Sequence, residues 1–187
     1  EKLETINMEG IKVATVATAH KTGLDNLISS LKMFGNSATV LGMGDKYKGN
    51  SMKVGLFKEH VCEKLDEGEL VLLVDAYDVL AFKGLTALEA RFKEMERGGT
   101  RVLFAGEKAS YPDLGIIGLY DETEGLELPY LNSGVIMGRG RDVCQMLTEV
   151  ASYPSLHVSD QRAFVRYYLK HRLGRGIAID VKGEVFV

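Results

Sequence analysis

The 187-residue sequence has no tryptophan, only two cysteines and three prolines, and no apolar run long enough to span a membrane. Two cysteines, Cys62 and Cys144, are too few for a disulfide framework. Each lies in a helix-like amphipathic stretch, so both are expected as small buried hydrophobes in a reducing compartment, the cytoplasm. No histidine stands at a spacing that would make either a nucleophile. Nor is there a basic surplus: 23 lysines and arginines face 26 acids, for a net charge of -3, which argues against a nucleic-acid binder. The acidic start, Glu1 to Glu4, does not read as a signal peptide. Internal repeats and low-complexity tracts are absent as well.

What is present is the composition of a globular domain, 45% hydrophobic and 26% charged, with enough chain for one α/β core and too little for two. Short apolar runs alternate with amphipathic segments, the pattern of a mostly parallel sheet covered by helices. Strands are expected at 11–18, 38–41, 69–74, 101–105, 134–138 and 177–181. The helix after the first strand has Leu24, Leu27, Ile28 and Leu31 on one side, Thr22 and Asp25 at the spacing of a capping box, and Gly35 as its stop. Val54, Phe57, Val61 and Leu65 mark a second helix, and Leu85, Leu88, Phe92 and Met95 a third. Two more follow the fifth strand, the last opened by Ser159-Asp160. The stretch from Glu107 to Tyr130 lacks periodicity, and so long a loop in a compact domain reads as functional, a lid or an acceptor platform.

The most informative segment is Leu72-Leu73-Val74-Asp75-Ala76-Tyr77-Asp78-Val79-Leu80. An apolar strand ends in two carboxylates three residues apart. Positions i and i+3 of a continuing strand face opposite ways, so the chain must turn after Asp75 if both are to meet one ligand. Ligands of open α/β sheets bind beyond the carboxyl ends of the strands, where this pair lies. Two hard oxygen donors suit Mg²⁺ or Mn²⁺, while a plain turn or helix cap explains the same residues. Gly42-x-Gly44 is no dinucleotide fingerprint, because the third glycine is missing and it follows the second strand.

An ordered set of segments covers nearly the whole chain: Val13–Thr18; Leu41-Gly42-Met43-Gly44 with the Lys48-Gly49-Asn50 turn; Lys53-Val54; Val74–Val79; Leu103–Glu107 with Tyr111-Pro112; Tyr130–Gly134; and Ser159-Asp160-Gln161. In this set the chain resembles the glycosyltransferase domain of the multifunctional procollagen lysyl hydroxylases and related domains of large DNA viruses. The resemblance implies a GT-A (Rossmann-like) fold, possession of further domains in a longer polypeptide, and transfer of a sugar from a UDP-sugar with Mn²⁺ or Mg²⁺. The acceptor would be a hydroxyl on a glycan or protein, and for a viral chain the compartment would be the host cytoplasm. Asp75 and Asp78 become metal ligands, with Asp75 also near the donor. Tyr77 stacks on uracil, Thr15, Ala17 and Thr18 lie against the nucleotide, and Lys53 meets the base edge or the phosphates. Asn132 and Ser133 contact sugar hydroxyls, while Glu107 and Asp160 are the candidate catalytic carboxylates.

Relatives differ in three respects. They carry an acidic run before the matching Asp-Gln, a histidine as third metal ligand beyond the last strand, and in some cases a nucleotide-holding tryptophan; here no histidine follows His171. A catalytically silent GT-A-like binding module and a sugar nucleotidyltransferase are the competing readings.

Overall fold

A computed structural model describes residues 10–120 and 123–186. Its six strands, β1 (Lys12–Val16), β2 (Ala38–Leu41), β3 (Leu70–Asp75), β4 (Val102–Glu107), β5 (Tyr130–Arg139) and β6 (Ile177–Asp180), form one sheet ordered β2-β1-β3-β5-β4-β6. β5 runs antiparallel to both of its neighbours, and the other five strands point the same way. This is the mostly parallel, GT-A-like arrangement that the sequence implied. The expected strand at 134–138 is twice as long, because Tyr130 to Asn132 also pair with β4. The register between them jumps after Phe104: Phe104 faces Ile136 and Ala105 faces Asn132, so β5 carries extra residues there and bends.

The helices α1 (Thr22–Met33), α2 (Asn50–Lys64), α3 (Leu85–Arg97), α4 (Gly140–Val150) and α5 (Asp160–His171) cover both faces. Alternation along the strands makes the two half-cores. Ala14, Val71, Leu73, Phe104 and Ile136 pack toward α2, α4 and α5, with Phe57, Met146 and Phe164. Val13, Leu72, Val74, Leu103 and Met137 pack the other way, against Leu27, Leu31 and Phe92 of α1 and α3. Covered on both faces, β3 is buried along its first five residues. Among the described residues no helix is long and apolar enough to cross a membrane.

Two local expectations are corrected. Thr22 is the first helical residue of α1, not its cap; Lys21 precedes it with extended backbone, and no side chain caps that end. At the other end Gly35, with φ +73°, closes the helix as expected, and Asn36 N–H reaches back to Leu31 O. The cysteines are not separate buried hydrophobes. Cys62 on α2 and Cys144 on α4 form a disulfide with Cα atoms 5.1 Å apart, across 82 residues of sequence. Helix packing brings together two thiols that no local spacing relates.

Candidate functional site

Asp75 ends β3, and the chain turns at once, so Ala76 goes into the interior while Tyr77 and Asp78 face outward. Opposite this turn, the first turn of α2 presents Lys53, and the first turn of α5 presents Asp160. The Lys53 ammonium pairs with Asp75 Oδ1 and donates to Asp160 Oδ2 at 2.9 Å. Burial works to lower the Lys53 pKa, but the two carboxylates outweigh it and the net direction is upward. Asp75 is pushed above its ordinary value, chiefly by burial, with Asp78 and Asp160 adding repulsion against the attraction of Lys53. These groups, with Val16, Thr18, Lys21, Tyr47, Asn50 and Tyr77, line a cavity of about 450 Å³ at the carboxyl ends of β1 and β3.

Thr18 lies on this wall, but Thr15 and Ala17 do not. The Thr15 side chain is fully buried, and its hydroxyl donates to Val74 O at 2.8 Å, across β1 and β3. Ala17 is buried with Leu24 and Ala76. Strand alternation explains both, since Val16 between them takes the cavity-facing direction. The Tyr77 hydroxyl donates to Ala19 O at 3.1 Å, and the Lys21 ammonium lies 4.6 Å over the centre of its ring. Gly23, in the first turn of α1, packs on the Tyr77 backbone; a methyl there would lie 2.6 Å from Tyr77 C and Cα. Lys21 and Gly23 carry no short-range sequence signal, because their place depends on how α1 docks against the Asp75 turn.

Glu107, Asn132 and Ser133 gather in a second cluster along the same sheet edge. The link is Gln161, next to Asp160. Its Nε2 donates to Glu107 Oε1 at 2.5 Å and to Tyr111 O at 2.9 Å, while its Oε1 accepts from Ser133 N at 3.3 Å and Ser133 Oγ at 3.4 Å. Asn132 donates to Glu107 Oε2 at 3.4 Å and accepts from Gly134 N at 2.7 Å. Burial lifts the Glu107 carboxyl, against the opposing effect of these amide hydrogen bonds. Gly134 ties the clusters together, since a Cβ there would come within 3.3 Å of Asp75 Oδ2 and 2.9 Å of Asn132 Oδ1.

The aperiodic 108–129 segment contains a 3₁₀ turn, Leu114–Leu119. The segment is anchored to α5, where Arg162 forms a two-pronged pair with Asp113 at 2.7 and 2.6 Å. Tyr111, Leu114 and Leu119 are exposed on it. None of the four histidines lines the cavity. His171, the buried one, meets Glu149 at 2.7 Å on the far end of α5.

The family model described as PLOD GT domain matches residues 7–187. The chain is 31% identical over 94% of its length to a Drosophila melanogaster procollagen-lysine,2-oxoglutarate 5-dioxygenase, covering 25% of that protein. It is 27% identical over 98% of its length to the human multifunctional procollagen lysine hydroxylase and glycosyltransferase LH3, covering 26% of it. A Caenorhabditis elegans multifunctional procollagen lysine hydroxylase and glycosyltransferase is 29% identical over 90% of the chain and 24% of the relative. The chain thus spans about a quarter of the length of these curated relatives. With its two-sided mixed sheet and acidic edge, it belongs to the PLOD GT domain family and is a glycosyltransferase domain.

Proposed function

We propose that the domain transfers a sugar from a UDP-linked donor to a hydroxyl of a glycan or protein acceptor, using a divalent cation. The observation that carries this reading is the convergence of Asp75, Asp78, Lys53, Asp160 and Tyr77 on one cavity at the carboxyl edge of the sheet. Family membership supplies the reaction class.

The donor chemistry of the site suits a hard divalent cation, Mn²⁺ or Mg²⁺. Asp75 and Asp78 are close enough to repel each other, and Asp75 Oδ2 faces a glycine rather than a second cation. Among the described residues no group of three or more acidic, histidine or cysteine side chains is gathered for a metal. The fit is therefore that of a two-carboxylate site completed by donor phosphate oxygens and water. When bound, the cation would neutralise charge on the diphosphate leaving group.

The chain's own groups divide the remaining work. Tyr77 offers a flat face for the base, and Thr18 a hydroxyl nearby. Lys53 is shared between two carboxylates and so holds Asp75 and Asp160 together at the edge of the cavity. Asp160 holds Lys53, and so acts as a positioning residue in this reading. Glu107 has no cationic partner among the described residues, and burial raises its proton affinity. It is the better placed carboxylate to take a proton from the acceptor hydroxyl, with Asn132 and Ser133 contacting sugar hydroxyls beside it. The 108–129 segment forms the acceptor side.

Thermal-shift titration with UDP and UDP-sugars, with and without Mn²⁺, tests the reading. A ligand at 100 times its Kd adds about 2.7 kcal/mol, a rise of roughly 5–11 °C for a domain of this size. Asp75→Asn with Asp78→Asn removes the metal-dependent part. If no UDP compound shifts the melting temperature, or the shift ignores metal, the reading fails.

A further inference from the structure

The cavity holds two lysines in different electrostatic situations. Lys53 is spent: its ammonium is shared between Asp75 and Asp160. Lys21 lines the same cavity, yet among the described residues no carboxylate lies within ion-pair distance of it; the nearby Asp25 meets His20 instead, at 3.9 Å. Its ammonium rests 4.6 Å above the Tyr77 ring. That places an exposed, uncompensated cation on an aromatic face in a cavity that otherwise gathers three carboxylates, Asp75, Asp78 and Asp160.

A cation over an exposed ring is weakly held. A phosphate oxygen offers a lysine a charge-assisted hydrogen bond, which is stronger. Lys21 also stands where extended backbone passes into α1, with its side chain free to pivot while Gly23 keeps the helix start locked on the Tyr77 backbone.

We infer that Lys21 is a donor-binding residue that exchanges its seat on the Tyr77 ring for the phosphates of a nucleoside diphosphate. The exchange does two things at once. It opens the ring face to the base and supplies the positive charge that Lys53, already neutralised, lacks. The inference rests on the nucleotide-sugar reading above, and it adds a phosphate contact that reading does not contain.

Isothermal titration of the folded chain with uridine, UMP and UDP in Mn²⁺ tests it, comparing wild type with Lys21→Met and Lys21→Arg. The expected result is a loss of about tenfold in UDP affinity for Lys21→Met, with uridine binding unchanged or tighter, and retention of UDP affinity by Lys21→Arg. Equal weakening of uridine and UDP would show that Lys21 only supports the ring, and overturns the inference. So does an unchanged UDP affinity in Lys21→Met. If wild type binds none of the three ligands, the nucleotide-sugar reading falls, and the inference with it.

Discussion

Breaking the bond between Cys62 and Cys144 should cost this domain a large share of its stability. The two residues are 82 apart in sequence, and each is half-buried where α2 packs against α4. In the chain-entropy treatment, closing a loop of that size removes about 15 cal/mol/K from the unfolded ensemble, or about 4.5 kcal/mol at 25 °C. For a domain of this length the loss corresponds to a fall of roughly 9–18 °C in melting temperature. The assay is calorimetry of the oxidised protein, of the protein reduced with a phosphine, and of the Cys62→Ala, Cys144→Ala double variant. Mass spectrometry after alkylation under denaturing conditions counts the thiols, none before reduction and two after. The reduced protein and the double variant should melt together, well below the oxidised form. If both thiols label fully and the melting temperature moves by less than about 3 °C, the bond is not constraining the unfolded chain and the reasoning is wrong.

Two further predictions concern backbone approach and charge. Gly23→Ala should destabilise by about 1–3 kcal/mol through overpacking on the Tyr77 backbone and weaken UDP binding. Gly55→Ala, with open space around its Cβ position on α2, should instead gain up to about 1 kcal/mol; urea midpoints that move the same way for both would contradict the packing argument. Glu149 is desolvated, yet its hydrogen bonds with His171, Lys170 and Tyr153 prevail and hold its pKa down at about 2. A depressed carboxyl pKa stabilises the fold above its unfolded value of 4.5 and loses that contribution as pH falls toward 2. Wild type should therefore lose on the order of 3 kcal/mol more than Glu149→Gln across that window. Parallel pH profiles of the urea midpoint would refute the assignment.

The strands were legible wherever both faces are buried, since Leu70 to Val74 read as one apolar run. The beginning of β5 was not. Tyr130-Leu131-Asn132-Ser133 looks like a turn leading into a strand, and only pairing with Ala105 to Glu107 makes it extended. The Asp75–Asp78 pair stood out as a candidate at the end of an apolar strand, and the ordered motifs on both sides, not the spacing alone, separated it from a plain turn or cap. The placement of Thr15 was not legible, since the stagger that sends its hydroxyl to Val74 is set by the neighbouring strand. Lys21 and Gly23 share this limitation, since both meet Tyr77 through helix docking, and Gln161 was named as part of a motif while its bonds to Glu107 and Ser133 were not. The cysteine pair was misread for the same reason, as composition carries no record of which helices pack together.

The single reversed strand has a consequence for how this domain can vary. Because β5 runs against β3 and β4, its opening residues lie beside their closing ones, so Gly134 faces Asp75 and Tyr130 faces Glu107. Ladders on both flanks fix its register independently of the segment that leads into it. The 108–129 connection is tied down separately, by Asp113 on Arg162, by Tyr120 in the core and by Leu128 N–H on Val181 O. Substitution at its exposed residues, Leu114 and Leu119 among them, can therefore leave the approach of Gly134 to Asp75 unchanged.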